Sequence, residues 1–169
     1  MKKLISLFAF TICLTLNAQE MEQSHVQTAV TKLFVATDQQ DWSLVEEQFT
    51  DKVNLDYSSM TGNPAAEVSP SEITSGWKTV LPGFTHTHHQ LGNFITAIEN
   101  DKAHVFVYGT ASHFLEDENG NVWTVIGSYD FDLIKTGGDW KITSMTFNYK
   151  FQDGNGGLIQ KAIENVNKK

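Results

Sequence analysis

Four side chains spread over the first two thirds of the chain could together move protons: Asp38, Tyr57, His89 and His113. A carboxylate, a phenol and two imidazoles can hold, give and take protons near neutral pH if one pocket collects them. Each also has an ordinary alternative. Asp38 could terminate a helix, Tyr57 could be a strand aromatic bonded at a rim, and a histidine on an apolar face is often a satisfied core residue. What distinguishes the set is that strand parity and helix spacing send all four toward the same interior.

Periodicity supplies the elements that would hold them. Val26, Val30, Leu33 and Phe34 recur at helical spacing, so Met21 to Asp38 reads as an amphipathic helix with Asp38 continuing its buried side. Asp41 caps a short second helix with the stripe Trp42, Val45 and Phe49. Val53, Leu55 and Tyr57 alternate with Asn54, Asp56 and Ser58 as a half-buried strand, and Ser59 to Val68 reads as a polar loop. Ser69-Pro70-Ser71-Glu72 is a capping-box helix start. It opens a helix that carries Ile73, Trp77 and Val80 and stops before Pro82-Gly83.

Four long strands follow: Thr87 to Ile98, Lys102 to Leu115, Asn121 to Lys135 and Asp139 to Phe151. Turn residues at Asn100-Asp101, Glu118-Asn119-Gly120-Asn121 and Thr136-Gly137-Gly138-Asp139 join them as hairpins. Strands of this length must bend, and Gly92, Gly109 and Gly127 sit where bends or bulges would fall. A bulge near Ser144 would reconcile Trp140 and Ile142 with Met145, Phe147 and Tyr149. A short amphipathic segment with Leu158, Ile159, Ala162 and Ile163 closes the chain. The expected class is α+β: a strongly curved antiparallel sheet wrapped around N-terminal helices, cone-like, with a pocket between the layers.

On that sheet His113 shares a face with Val105, Val107, Gly109 and Ala111, and His89 with Leu91, Asn93 and Ile95. A carboxylate on the buried side of a helix needs a partner, and His113 is the expected one for Asp38. Trp77, Trp123, Tyr129 and Phe147 are the expected substrate-binding wall. His86-Thr87-His88-His89 invites a metal, but on a strand His86 and His88 share one face and His89 takes the other, with no third ligand placed beside them. No metal is expected. Glu116-Asp117-Glu118 reads as a solvated hairpin tip, and Asp130 and Asp132 as solvent-facing.

Composition bounds the partners. Lys2 and Lys3, an apolar run from Leu4 to Leu16 and Ala18 before Gln19 have the form of a signal peptide over residues 1–18, leaving a single domain over 19–169. The run is shorter than the ~20 residues needed to span a bilayer, so an exported, periplasmic or secreted product is expected, with no stable membrane insertion after cleavage. Cleavage removes Cys13, the only cysteine, and with it any disulfide, thiolate ligand or thiol nucleophile. It also takes the 12 lysines to 10 against 20 acids, so the net charge moves from −8 to −10. Without arginine or a basic face, nucleic acid is not an expected partner.

The order helix, helix, strand, helix and four long strands resembles the nuclear transport factor 2-like superfamily, in its SnoaL-like branch. The matching pieces are Asp38 with Asp41-Trp42, Asp56-Tyr57-Ser58-Ser59, Thr87-His88-His89, Ala111-Ser112-His113, Gly127-Ser128-Tyr129 and Gly138-Asp139-Trp140-Lys141-Ile142. Within it the pattern is most similar to the scytalone dehydratases. The resemblance implies an active site of Asp38, Tyr57, His89 and His113, with a second tyrosine replaced by Thr37 and a late-strand serine and asparagine replaced by Gly127 and Tyr129. It implies a cofactor-independent lyase or isomerase of a small carbonyl compound. His89 would move the carbon-bound proton, an Asp38–His113 dyad would hold a second proton near the leaving group, and Tyr57 would polarise the carbonyl oxygen. A non-catalytic module of the same fold that binds a small hydrophobic ligand or dimerises is the alternative, and a homodimer is expected by analogy.

Overall fold

A computed structural model describes residues 2–168, with side chains from residue 19 onward. The expected leader lies outside the described side chains. Helix α1 runs over Lys2–Asp38 and α2 over Trp42–Glu47, the latter capped by Asp41 accepting from the Leu44 N–H at 3.1 Å. Strand β1 (Phe49–Asp56), helix α3 (Ser58–Thr61), strand β2 (Ala66–Val68) and helix α4 (Pro70–Lys78) follow, then a 3-10 turn over Leu81–Gly83. The chain ends with β3 (His86–Glu99), β4 (Lys102–Phe114), β5 (Val122–Thr136), β6 (Asp139–Gly154) and α5 (Leu158–Asn167).

The capping box forms at α4: the Glu72 N–H donates to Ser69 Oγ and the Ser69 N–H to Glu72 Oε2. Such a cap stabilises a helix start by about 1 kcal/mol. The residues read as a polar loop instead hold α3 and β2, which are too short to carry a period.

One six-stranded open sheet has the order β2-β1-β6-β5-β4-β3. It is mixed where an antiparallel sheet was expected, because β1 lies parallel to β6. The four hairpin-linked strands are antiparallel, as their turns require. No turn links β1 to β6, so local chemistry does not set its direction.

The register slips at four places, the first between Phe49 and Asn54 where β1 meets β6. On β3 it slips between Gly92 and Ile95, where Asn93 is left-handed at φ 58°. On β5 it slips at Ile126/Gly127 and at Asp132/Leu133. In the last of these Thr143 is the extra residue, so Trp140, Ile142, Met145 and Phe147 all reach the inner face, as the expected bulge near Ser144 requires. Gly109 does not slip. A Cβ there would come within 2.5 Å of Tyr129 Cε2, so its bareness seats the Tyr129 ring.

The core lies between the inner face and the helices, from Val26, Val30 and Leu33 on α1 to Val105, Val107, Phe131 and Leu133 on the strands. Described burial begins at Val26, and Glu22 ties the helix to the β5–β6 hairpin by accepting from Lys135 Nζ at 2.8 Å and Trp140 Nε1 at 3.1 Å. The outer face carries His104 against Asp130 and Asp132, with Ile95, Tyr108 and Phe151 exposed. Asp117 departs from the expected solvated tip: its side chain is only 3% exposed, takes the Asn119 N–H and pairs with Lys161 of α5.

Candidate functional site

Helix α1 packs along the edge strand β3, with Gln27 Nε2 donating to Thr96 Oγ1 near one end and Asp38 over Thr87 and His89 at the other. Asp38 therefore meets His89, not His113. His89 Nδ1 lies 2.7 Å from Asp38 Oδ1, the His89 backbone N–H donates to Oδ2 at 2.7 Å, and Thr87 Oγ1 donates to Oδ1 at 2.8 Å. The expected Asp38–His113 dyad is thus corrected to Asp38–His89. His113 sits one strand further from α1, and its Nδ1 lies 3.3 Å from the carbonyl of its cross-strand partner Trp123.

Electrostatics separates the two imidazoles. Burial pushes the Asp38 carboxyl up, but the His89 ring, the His89 N–H and Thr87 outweigh it and hold it below its ordinary value. An ionised Asp38 accepts, so the shared proton belongs on His89 Nδ1 and the Nε2 lone pair remains available. Burial first, and then the neighbouring His89 ring, pushes His113 down to about 4. His113 is therefore neutral at neutral pH. A carbonyl can only accept, so Nδ1 of His113 carries the hydrogen and its Nε2 is an acceptor. Its ring is stacked on Trp123 at 4.6 Å and against Phe84 at 4.9 Å, and the two imidazole centroids are 6.0 Å apart.

Tyr57 is not on β1 but just beyond it, at the start of α3. Its half-buried ring packs on Phe147, and burial raises its pKa, so the phenol stays a donor. Tyr57, His89 and His113 line one pocket of about 250 Å³, together with all four expected wall residues, Trp77, Trp123, Tyr129 and Phe147. Asp38 stands behind His89. Thr37 reaches the same space, but its hydroxyl donates to the Leu33 carbonyl at 2.8 Å. His86 and His88 are exposed, and among the described residues no group of three or more His, Cys, Asp or Glu could hold a metal.

Sequence reasoning missed Thr87, Phe84 and Ile159. Thr87 had a signal, since it shares strand parity with His89. Phe84 and Ile159 come from a 3-10 turn and a terminal helix and have none.

Fold and site together define a small α+β protein whose helices and sheet enclose an apolar pocket backed by an Asp–His pair. The chain belongs to the SnoaL-like domain family, whose profile matches residues 21–146. No curated protein matches it. Among solved structures it is similar to the Kfla4162 protein of Kribbella flavida, at 23% identity over 84% of this chain and 99% of that one, with a TM-score of 0.77. It is also similar to a scytalone dehydratase-like protein of Novosphingobium aromaticivorans (16% identity, 82% and 91% covered, TM-score 0.70). A third is the type 3 hexachlorocyclohexane dehydrochlorinase LinA of Novosphingobium barchaimii (12% identity, 82% and 93% covered, TM-score 0.68). At these identities the likeness is one of fold.

Proposed function

We propose that this protein is a cofactor-independent lyase or isomerase acting on a small neutral carbonyl compound. The observation that carries the reading is the Asp38–His89 pair opening onto an apolar pocket. His89 Nε2 would take a proton from the carbon beside the carbonyl, with the C–H electrons passing to the carbonyl oxygen as an enolate. Asp38 would stabilise the imidazolium, and Tyr57 would donate to the oxygen. The same imidazolium would then return its proton. Delivery to another carbon completes an isomerisation, and delivery to a β-oxygen releases water. His113, neutral and with an acceptor nitrogen, would hold a substrate hydroxyl and is not the second acid. One base serving both steps implies transfer along one face of the substrate. The pocket is somewhat smaller than the ~300–1,000 Å³ usual for drug-sized ligands, which fits a compound of one or two rings.

The test is deuterium exchange into small cyclic ketones in heavy water, followed by proton NMR. Exchange is expected with the unaltered protein and should fall roughly 10²–10⁴-fold in His89→Gln and Asp38→Asn. An unchanged rate in His89→Gln would remove the dyad from the chemistry. The aromatic lining also suits a binding module. That reading predicts ligand-induced thermal stabilisation with no exchange above buffer.

A further inference from the structure

Tyr129 carries a phenol that the scheme above leaves idle. Its ring is fixed on several sides: Phe34 at 4.9 Å, Phe147 at 4.8 Å and Phe131 at 5.7 Å between centroids, with the bare backbone of Gly109 beneath. The residue is only 5% exposed, yet its hydroxyl has no hydrogen-bond partner in the protein. Among the described residues every side-chain nitrogen or oxygen sealed from contact is bonded, so this hydroxyl is open to the pocket that Tyr129 lines. The hydroxyl of Tyr57 is in the same position. A buried donor of this kind is costly to leave without an acceptor.

The two phenol rings are neighbours: both pack on Phe147, Tyr57 at 5.7 Å and Tyr129 at 4.8 Å between centroids, and both line the same pocket. Burial first, and then proximity to Tyr57, raises the Tyr129 pKa well above its ordinary value, so both remain donors. No lysine lines the pocket, and His113 is neutral. A negative oxygen on the ligand would therefore be held by hydrogen-bond donors and not by a side-chain ammonium.

The geometry points to Tyr129 and Tyr57 as a paired phenol donor site for one ligand oxygen, the one that becomes negative, in an otherwise uncharged ring ketone. The inference rests on the proton-transfer reading for its chemistry, and on the two open hydroxyls for its binding. It assigns Tyr129 a donor role where the sequence suggested only wall contact.

The probe is para-nitrophenol, whose absorbance reports its anion, an enolate-like oxygen on a ring. The unaltered protein is expected to bind it as the anion. Tyr129→Phe should weaken that binding roughly tenfold to a hundredfold, the worth of a hydrogen bond to a charged group. Toluene, which offers no oxygen, should bind both proteins within about twofold, since the ring contacts are kept. Tyr57→Phe, at a less buried position, should show the same contrast and guards against misfolding at Tyr129. Equal weakening of nitrophenol and toluene would make Tyr129 a packing residue only, and absence of anion binding by the unaltered protein would also overturn the donor pair. Selective loss of nitrophenol with no ketone exchange in any form keeps the oxygen site and defeats the proton-transfer reading. Ketone exchange unaffected by Tyr129→Phe does the reverse.

Discussion

His113 is kept neutral by its surroundings, and acid should act on the fold through it. In the unfolded chain its imidazole titrates near 6.5, and in the folded protein burial and His89 hold it down to about 4. Between those values the unfolded chain binds one proton more, so stability falls as pH falls, by about 1.4 kcal/mol per pH unit. Below about 4 both states are protonated and this loss stops. Asp38, depressed below its ordinary 3.8, works in a lower window: its contribution is present above that value and is lost as pH falls through the folded pKa. Urea unfolding at pH 6.5 and pH 5 should show a loss of about 1.6 kcal/mol, largely absent in His113→Asn. Equal slopes in the two proteins would contradict a neutral His113. At this scale parity was a good guide to which side chains face inward, except that the slip between Gly92 and Ile95 turns Ile95, expected on the His89 face, to the outside. The pairing was not legible, because choosing between two imidazoles depends on which strand α1 lies across, and no local pattern encodes that offset.

Among the elements, α5 is positioned by a contact that tolerates no side chain. A Cβ on Gly83 would lie 1.9 Å from the Ala162 carbonyl oxygen and 2.5 Å from its carbon, both backbone atoms that cannot turn aside. Asn165 Nδ2 donates to the Gly83 carbonyl at 3.2 Å, Lys161 pairs with Asp117, and Ile159 reaches the pocket. Gly83→Ala should therefore displace α5, cost about 1–3 kcal/mol of stability as overpacking does, and loosen ring-sized ligands together with it. Chemical denaturation and toluene binding measure the two effects, and a variant as stable and as tight as the parent would show that α5 is not held at Gly83. The capped start of α4 and the three hairpins could be read directly, since each has turn or cap residues at fixed offsets. Helix α3, strand β2 and the parallel β1–β6 pair could not. The first two are too short for a period, and the third joins segments about 90 residues apart.

At the scale of the whole molecule, the described core is built from Val26 onward, with Glu22 tied to the β5–β6 hairpin. We propose export with cleavage after Ala18, and pairing of two copies through the outer face that exposes Ile95, Tyr108 and Phe151. Native mass spectrometry of protein recovered from a secreting bacterial host reads both. The expected species is a dimer of chains beginning at Gln19. A chain beginning at Met1 would refute cleavage, and a lone copy at micromolar concentration would refute pairing. Curvature and pocket were foreseeable from long strands with mid-strand glycines, whereas the openness of the sheet depends on how β2 and β3 end as its edges.

Helix α1 has a practical consequence. Asp38 is its last residue, and Gln19 lies 19 residues earlier, about 29 Å away along a straight helix. A reporter or surface anchor fused at Gln19 would therefore hang far from the chemistry.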